Sequence, residues 1–416
     1  MEKTTPKIEL LSPAGSFEAL QAAIDNGADA VYFGVEQLNM RARSSNNFTL
    51  DDIAEITGRC KERNIRTYLT INTILYDHDI NLAKQILTRA KKEGVTAVIA
   101  CDHAILSFAK SIQLPVHLST QANCSNFETL EFYAPYADAV VLARELTLMQ
   151  VADIVAKVQR ANLRGPSGDL IKVEIFAHGA LCMAISGKCY LSLHSHNASA
   201  NRGACIQNCR HTYTVKDKEE DIELEIDNEY IMSAKDLCTI DFLDKIASTG
   251  VGILKIEGRG RSADYVSTTT LCYREAIDAW HDKTYTTERV ADWMERLSTV
   301  FNRGFWDGYY LGKKMGEWSN HPGSIATKKK IYIGKAVKYF PNLQVAEFIM
   351  EANELNLNNQ FLITGPVTGV YEGRISELRS DYNTVSKVKK GDLFSFPVEK
   401  KIRLHDKLYK IVDAEV

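Results

Sequence analysis

The chain reads as an α/β protein: a (β/α)8 TIM-like barrel with a cysteine-rich insertion after its seventh strand, followed by a small C-terminal all-β barrel. Three observations predict this architecture. Eight short apolar runs alternate with amphipathic stretches between Ile8 and Ile256, four of the nine cysteines fall between Cys182 and Cys209, and beyond residue 320 the pattern changes to short runs of period two.

The eight runs are Ile8–Leu11, Ala30–Gly34, Thr67–Asn72, Ala97–Cys101, Val116–Thr120, Ala139–Ala143, Val173–Ala177 and Ile253–Ile256. Several follow one phrase, in which a helix-ending Gly or Tyr and a small residue precede the run: Asn26-Gly27-Ala28-Asp29, Glu93-Gly94-Val95-Thr96, Tyr136-Ala137-Asp138 and Gly250-Val251-Gly252. Glycine just past a helix end, followed directly by a buried strand, is the αβ joint of a parallel α/β fold. The stretches between the runs read as helices, one opening at Thr49-Leu50-Asp51-Asp52 with a hydroxyl cap and an acid in its first turn. Eight such units over about 280 residues fit a (β/α)8 barrel with insertions. The competing architecture is an open doubly wound sheet. The glycines of Gly258-Arg259-Gly260-Arg261 match a dinucleotide loop too loosely to argue for one.

Two units are expected: residues 1–320 for the barrel, with its insertion at about 179–212, and residues 328–416 for the β unit, separated by a linker at His321-Pro322-Gly323-Ser324. Ahead of the linker an aromatic loop, Phe301 to Tyr310, would either stack bases beside Arg303 or plug the barrel mouth. Charge is divided between the units. Residues 328–416 carry 15 Lys/Arg against 11 Asp/Glu, whereas residues 1–327 carry 35 against 42. The clusters Lys328-Lys329-Lys330, Lys387, Lys389-Lys390 and Lys400-Lys401-Arg403 would suit an RNA backbone or form a solvated face.

At 416 residues, 45% apolar and 25% charged, the chain can bury a full core, and a net charge of −3 excludes a global nucleic-acid signature. No run approaches the length of a membrane span. Residues 1–12 show no secretory apolar region and the cysteine count is odd, so a reducing, cytoplasmic setting is expected in place of disulfides.

Barrel chemistry sits on the loops that follow the strand ends, which makes the polar residues past each run informative. They are Ser12, Asn72, Asp102, Ser119 with Gln121, Arg144 with Glu145, His178, and Glu257 with Arg259. Each taken singly also reads as a cap or a loop hydrogen-bonding residue. Arg144, Glu145, His178 and Glu257 are the catalytic candidates. Arg41, Arg43, Gln121 and Arg259 are the substrate-binding candidates, since arginines fork onto carboxylate or phosphate oxygens. Glu174 and His178, at i and i+4 on a strand, would share one face about 13 Å apart at a rise of roughly 3.3 Å per residue, too far to act as a pair.

The cysteines are spaced Cys182-x6-Cys189-x15-Cys205-x3-Cys209, with Gly187 and Gly203 between them to let a loop fold back. An even spread would put fewer than one cysteine in that window, and four thiolates so spaced can converge on one centre. Three readings stand open. An iron–sulfur cluster accepts wide, uneven gaps; zinc also takes four cysteines, although only Cys205 and Cys209 resemble a zinc knuckle; and the thiols could be unligated. Cys60, Cys101, Cys124, Cys238 and Cys272 read as small buried hydrophobes.

The blocks HGALCMAISGKCYLS and SANRGACIQNCR resemble the signature of the collagenase-like peptidase family U32. So do ELLSPAG (9–15), GADAVYFG (27–34), LSTQANCSN (118–126), LARELTL (142–148), SAKDL (233–237) and LKIEGRGRSADYV (254–266), so that the resemblance covers nearly the whole chain. It implies a four-iron four-sulfur (4Fe-4S) cluster on Cys182, Cys189, Cys205 and Cys209, and RNA hydroxylation as the activity. The specific implication is conversion of the wobble uridine of tRNA to 5-hydroxyuridine, with prephenate, a small carboxylate co-substrate, as the hydroxyl source. A ribosomal RNA cytidine is the alternative target, and peptidase or non-catalytic iron–sulfur scaffold the alternative roles. Peptidase chemistry has little support in the residues: there is no HExxH and no GxSxG, and the one His-rich spot, His194-Ser195-His196, lies inside the cysteine insertion.

Overall fold

The computed structural model describes residues 7–42, 47–214, 230–313, 315–321 and 323–414. Its first part alternates strands and helices as the apolar runs require: β1 (Glu9–Pro13), α1 (Phe17–Asp25), β2 (Ala30–Phe33), α2 (Asp52–Lys61), β3 (Arg66–Ile71), α3 (Ile80–Lys92), β4 (Ala97–Ala100), α4 (His103–Ser111), β5 (Val116–Leu118), α5 (Phe127–Tyr133), β6 (Ala139–Val141), α6 (Leu148–Arg160) and β7 (Lys172–Ala180). There follow α7 (Leu191–His196), β8 (Asp236–Cys238), α8 (Leu243–Ser248), β9 (Ile253–Ile256), α9 (Ala263–His281), α10 (Thr287–Ser298) and β10 (Phe305–Trp306).

Strands β1 to β7 pair in sequence order, all parallel, and β9 closes the ring by pairing with both β7 and β1. Closure excludes the open doubly wound sheet. The eight apolar runs are the eight barrel strands, and Gly27, Gly94 and Gly250 take the positive φ expected at the helix ends that precede them. Helix α2 opens differently from its sequence expectation. The Asp52 carboxylate accepts from the backbone and hydroxyl of Thr49 (2.7 and 2.9 Å), and no side chain caps the first helical N–H groups. Strand β8 was not legible in advance: it pairs antiparallel with the end of β7, and β10 adds to it in parallel. In the loop containing β10, Trp306 and Tyr310 are buried, Trp306 against Leu181 and Ala234, and Tyr310 donates to the carbonyl of Phe176 at 2.7 Å.

Outward side chains of the strands pack under the helices, while Leu11, Tyr32, Tyr68, Ile99 and Ile253 meet in the barrel interior. That interior also holds charge. Glu9 pairs with Arg66 at 2.7 Å, and Glu174 with Lys255 at 2.8 Å.

Beyond residue 327 the chain forms antiparallel β structure: β11 (Lys328–Phe340), β12 (Val345–Met350), β13 (Glu354–Asn356), β14 (Gln360–Gly365), β15 (Gly369–Arg374), β16 (Arg379–Ser380), β17 (Asn383–Thr384), β18 (Lys387–Lys389), β19 (Leu393–Pro397) and β20 (Lys407–Asp413). Its core is separate and is built on Phe348, Phe361, Phe394 and Phe396. The basic clusters here are partly neutralised: Lys328 pairs with Asp413, Lys330 with Asp264 of α9, Lys387 with Glu354 and Lys400 with Asp25 of α1. Among the described residues no helix is long and apolar enough to cross a membrane.

Candidate active site

The C-terminal ends of the barrel strands open into a cavity of about 160 Å³, and the segment following β7 folds over it. Arg41, Gln121, Arg144, Glu257 and Arg259 line this space together with all four clustered cysteines. Arg41 follows β2 and reaches across the mouth to Glu257, just past β9, at 2.9 Å. Burial raises the Glu257 carboxyl, but Arg41, then Arg144 and Arg259, outweigh it and hold the group at about 2. So low a carboxylate is a poor general base near pH 7. What it does here is fix Arg41.

Arg259 donates from Nη1 to Asn39 Oδ1 and Thr70 Oγ1, both at 2.9 Å. Burial pushes it down to about 10, which still leaves it charged. Gly34 makes room for it, since a Cβ there would stand 2.3 Å from Arg259 Nη1. Arg144 lies over the ring of Phe176 and donates to the carbonyl of Ala180 at 3.1 Å. Among the described residues no carboxylate stands within 4 Å of Arg144, and its Nε has no partner.

The floor of the cavity was missed by sequence reasoning. Lys255 lines it, bonded at 2.8 Å to Glu174, whose other oxygen meets His117 Nδ1 at 2.8 Å. Both charges lie inside runs read as apolar. A usable signal existed: Lys255, Glu257 and Arg259 alternate, and period two on a strand places them on one face.

The cysteine loop forms the roof. Gly187 and Gly203 both have positive φ, and their missing side chains let the loop touch the strand ends: a Cβ on Gly187 would stand 2.0 Å from Gln121 Oε1, and one on Gly203 2.2 Å from the Asn39 carbonyl. Two arginines strap the loop. Arg202 pairs with Asp79 at 2.6 Å, and Arg210 donates to the carbonyl of Leu181 at 2.8 Å and to Ser233 at 3.1 Å. All four thiols are free. Burial pushes the Cys209 thiol up; Arg210 opposes this, and Cys182, Cys205 and Cys189 are near enough to add to it. Four thiols on one cavity wall, with Arg41 and Arg210 beside them, fit an anionic iron–sulfur cluster as a donor set. As they stand they do not form a single-ion site: among the described residues no three Cys, His, Asp or Glu side chains are placed to hold one metal ion.

Three selected residues stand elsewhere. His178 does not line the cavity. A register shift between Phe176 and His178 in β7 breaks the alternation, so Glu174 faces the barrel interior and His178 packs against Tyr265 and Tyr273 of α9 and Phe305. Burial, aided by the charge of Arg261, pushes its imidazole down to about 3 and leaves it neutral. Glu145 is exposed and borders a small side pocket with Cys182 and Tyr309. Arg43 lies outside the described residues. Of the remaining strand-end polars, Asn72 and Ser119 line the cavity, whereas Ser12 bonds Thr270 of α9 at 2.9 Å and Asp102 caps α4. Arg261 is likewise structural, stacked 3.5 Å over Phe301. Cys60, Cys101, Cys124, Cys238 and Cys272 are all buried.

The model of peptidase family U32 matches residues 15–320. A protein named collagenase from Porphyromonas gingivalis is 54% identical over 407 residues, which cover 98% of each chain. The tRNA hydroxylation protein P1 of Bacillus subtilis is 34% identical over 315 residues, 74% of this chain and 72% of that one. A 23S rRNA 5-hydroxycytidine synthase of Escherichia coli K12 is 32% identical over 327 residues, 76% of this chain and 47% of that one.

Proposed function

The chain belongs to peptidase family U32, and from that premise we propose that it is an RNA-hydroxylating enzyme. In its specific form, the enzyme converts the wobble uridine of tRNA to 5-hydroxyuridine, takes the hydroxyl group from prephenate and carries a 4Fe-4S cluster on Cys182, Cys189, Cys205 and Cys209. One observation carries this reading: the four thiols and the cations Arg41, Arg144, Arg259 and Lys255 line the same cavity. A peptide-bond hydrolase has no need of that combination. The names of the tRNA and rRNA relatives support the activity class.

When bound, such a cluster supplies one-electron transfer. The protein's own groups bind and orient. Arg144, free of any carboxylate partner among the described residues, offers a planar fork to an anionic co-substrate. Arg259 is aimed by Asn39 and Thr70, Arg41 by Glu257. The cysteine loop roofs the cavity and limits access of water, which strengthens each of these contacts.

The 54% identity to a protein named collagenase favours a second reading, peptide hydrolysis. Among the described residues no histidine lines the cavity, and its one carboxylate, Glu257, is held at about 2. Mass spectrometry of RNA nucleosides from a strain lacking the gene separates the readings. Loss of 5-hydroxyuridine from tRNA, restored by the intact gene, is expected. Loss of 5-hydroxycytidine from rRNA would move the target, and unchanged nucleosides together with gelatin cleavage by the purified protein would favour the hydrolase.

A further inference from the structure

The cysteine loop has an outer face that the cavity does not use. Ile185, Tyr190 and Ile206 are 45%, 75% and 44% exposed and do not line the cavity, yet the residues flanking each of them do: Ala184 and Ser186, Cys189 and Leu191, Cys205 and Gln207. At these three positions the loop alternates: Ile185, Tyr190 and Ile206 turn away from the cavity while their neighbours, with the four thiols, line it. Tyr76, 54% exposed, adjoins this face, because Ile74 donates to the Asn201 carbonyl at 3.1 Å and Arg202 lies 3.9 Å over the Tyr76 ring.

Charge on this loop is one-sided. Residues 181–214 contain no Asp or Glu, in a chain with 53 acids among 416 residues, and they carry Lys188, Arg202, Arg210 and three histidines. Lys188 is exposed and makes no ion pair among the described residues, whereas Arg202 is committed to Asp79. Large apolar groups standing in water mark a docking surface. Tyr190, an exposed aromatic ring beside Lys188 on a segment without Asp or Glu, suits a polyanion whose bases can stack, whereas Tyr76 is flanked by Asp77 and Asp79.

We infer that the outer face of the cysteine loop docks a single-stranded segment of the substrate RNA, with Tyr190 stacking a base and Lys188 meeting a phosphate. The inference rests on the reading of the chain as an RNA hydroxylase. It is single-stranded RNA that fits, since a base must leave its stack to enter the cavity behind this lip.

The test uses the full-length protein, with iron content and thermal unfolding verified for each variant, and fluorescently labelled tRNA isolated from a strain lacking the gene. Tyr190→Ala is expected to weaken binding about tenfold and Tyr190→Phe to restore it. Lys188→Gln should flatten the salt dependence of log affinity by about 0.7. If Tyr190→Ala and Lys188→Gln bind the RNA as the wild type does while the wild type hydroxylates it, the docking face is wrong and the enzymatic reading stands; that outcome would leave the face to a folded protein partner. Wild-type protein that neither binds nor modifies this RNA overturns the enzymatic reading itself.

Discussion

Arg144 rests its guanidinium 3.8 Å from the ring centroid of Phe176. The cation is held by an aromatic face and one backbone carbonyl, with its Nε unpartnered. Arg144→Lys keeps the charge but loses the planar fork and the stacked geometry. Hydroxylation should fall about ten- to a hundredfold in kcat/KM, the worth of a charge-assisted hydrogen bond, with thermal unfolding and bound iron as in the wild type. Unchanged kinetics would assign Arg144 to packing.

Anaerobically purified protein should be coloured and contain about four irons per chain. Cys182→Ala or Cys209→Ala should remove both colour and iron, while Cys60→Ala and Cys272→Ala, at buried sites away from the cavity, should keep them. One zinc per colourless chain, by metal analysis, would reverse the assignment.

Burial disfavours the ionised Glu174 carboxyl, yet Lys255 and His117 bring it from 4.5 to about 2. A depressed folded-state value means stability that is present above about 4.5 and is lost as pH falls toward 2. Lys255→Met should destabilise the barrel by about 3–5 kcal/mol at neutral pH, because Glu174 is left buried with one partner fewer. Adding Glu174→Gln should recover much of that loss, and melting temperatures of the two variants between pH 7 and pH 3 would show it.

Gly187 has φ +78° and faces Gln121 across the roof of the cavity. Gly187→Ala should cost about 1–3 kcal/mol of local strain, seen first as loss of iron and faster proteolysis of the loop rather than as global unfolding.

Lys330 reaches from β11 to Asp264 on α9 and so joins the β unit to the barrel. Lys330→Gln should lower stability by less than about 1 kcal/mol and leave the salt dependence of RNA binding unchanged, since its charge is already matched. Lys389 and Lys390, like Lys329, Lys401 and Arg403, have no ion pair among the described residues and remain candidates for phosphate contact. A slope reduced in Lys330→Gln would contradict this division.

The barrel was legible because its signals are local: a glycine past a helix end and a four- or five-residue apolar run occupy adjacent positions, at Gly27 as at Gly94 and Gly250. The cysteines and the strand-end arginines were legible for the same reason. His178 was misread because period two assumes an unbroken ladder, and a bulge in β7 turns it away from Glu174. Lys255 was overlooked, and Glu174 was weighed only against His178, since the Glu174–Lys255 pairing, which lets two charges occupy a barrel interior, joins residues far apart in the chain. The lysine runs look cationic in sequence, while Asp25, Asp264 and Asp413, which neutralise three of these lysines, come from distant segments.

Strand β9 is the piece that seals the ring, pairing Ile253 with Glu9 at one edge and with Glu174 at the other. On the ribosome, β1 and β7 therefore wait with open edges until the chain has grown past residue 256. The cysteine loop is synthesised before that moment, and its supports at Asn39 and Gln121 are already made, whereas Glu257 and Arg259 emerge only with the sealing strand. Birth order thus divides the cavity: Arg41, Arg144 and the four thiols are made before Glu257 and Arg259, and a nascent chain arrested before β9 carries those thiols with no closed barrel beneath them.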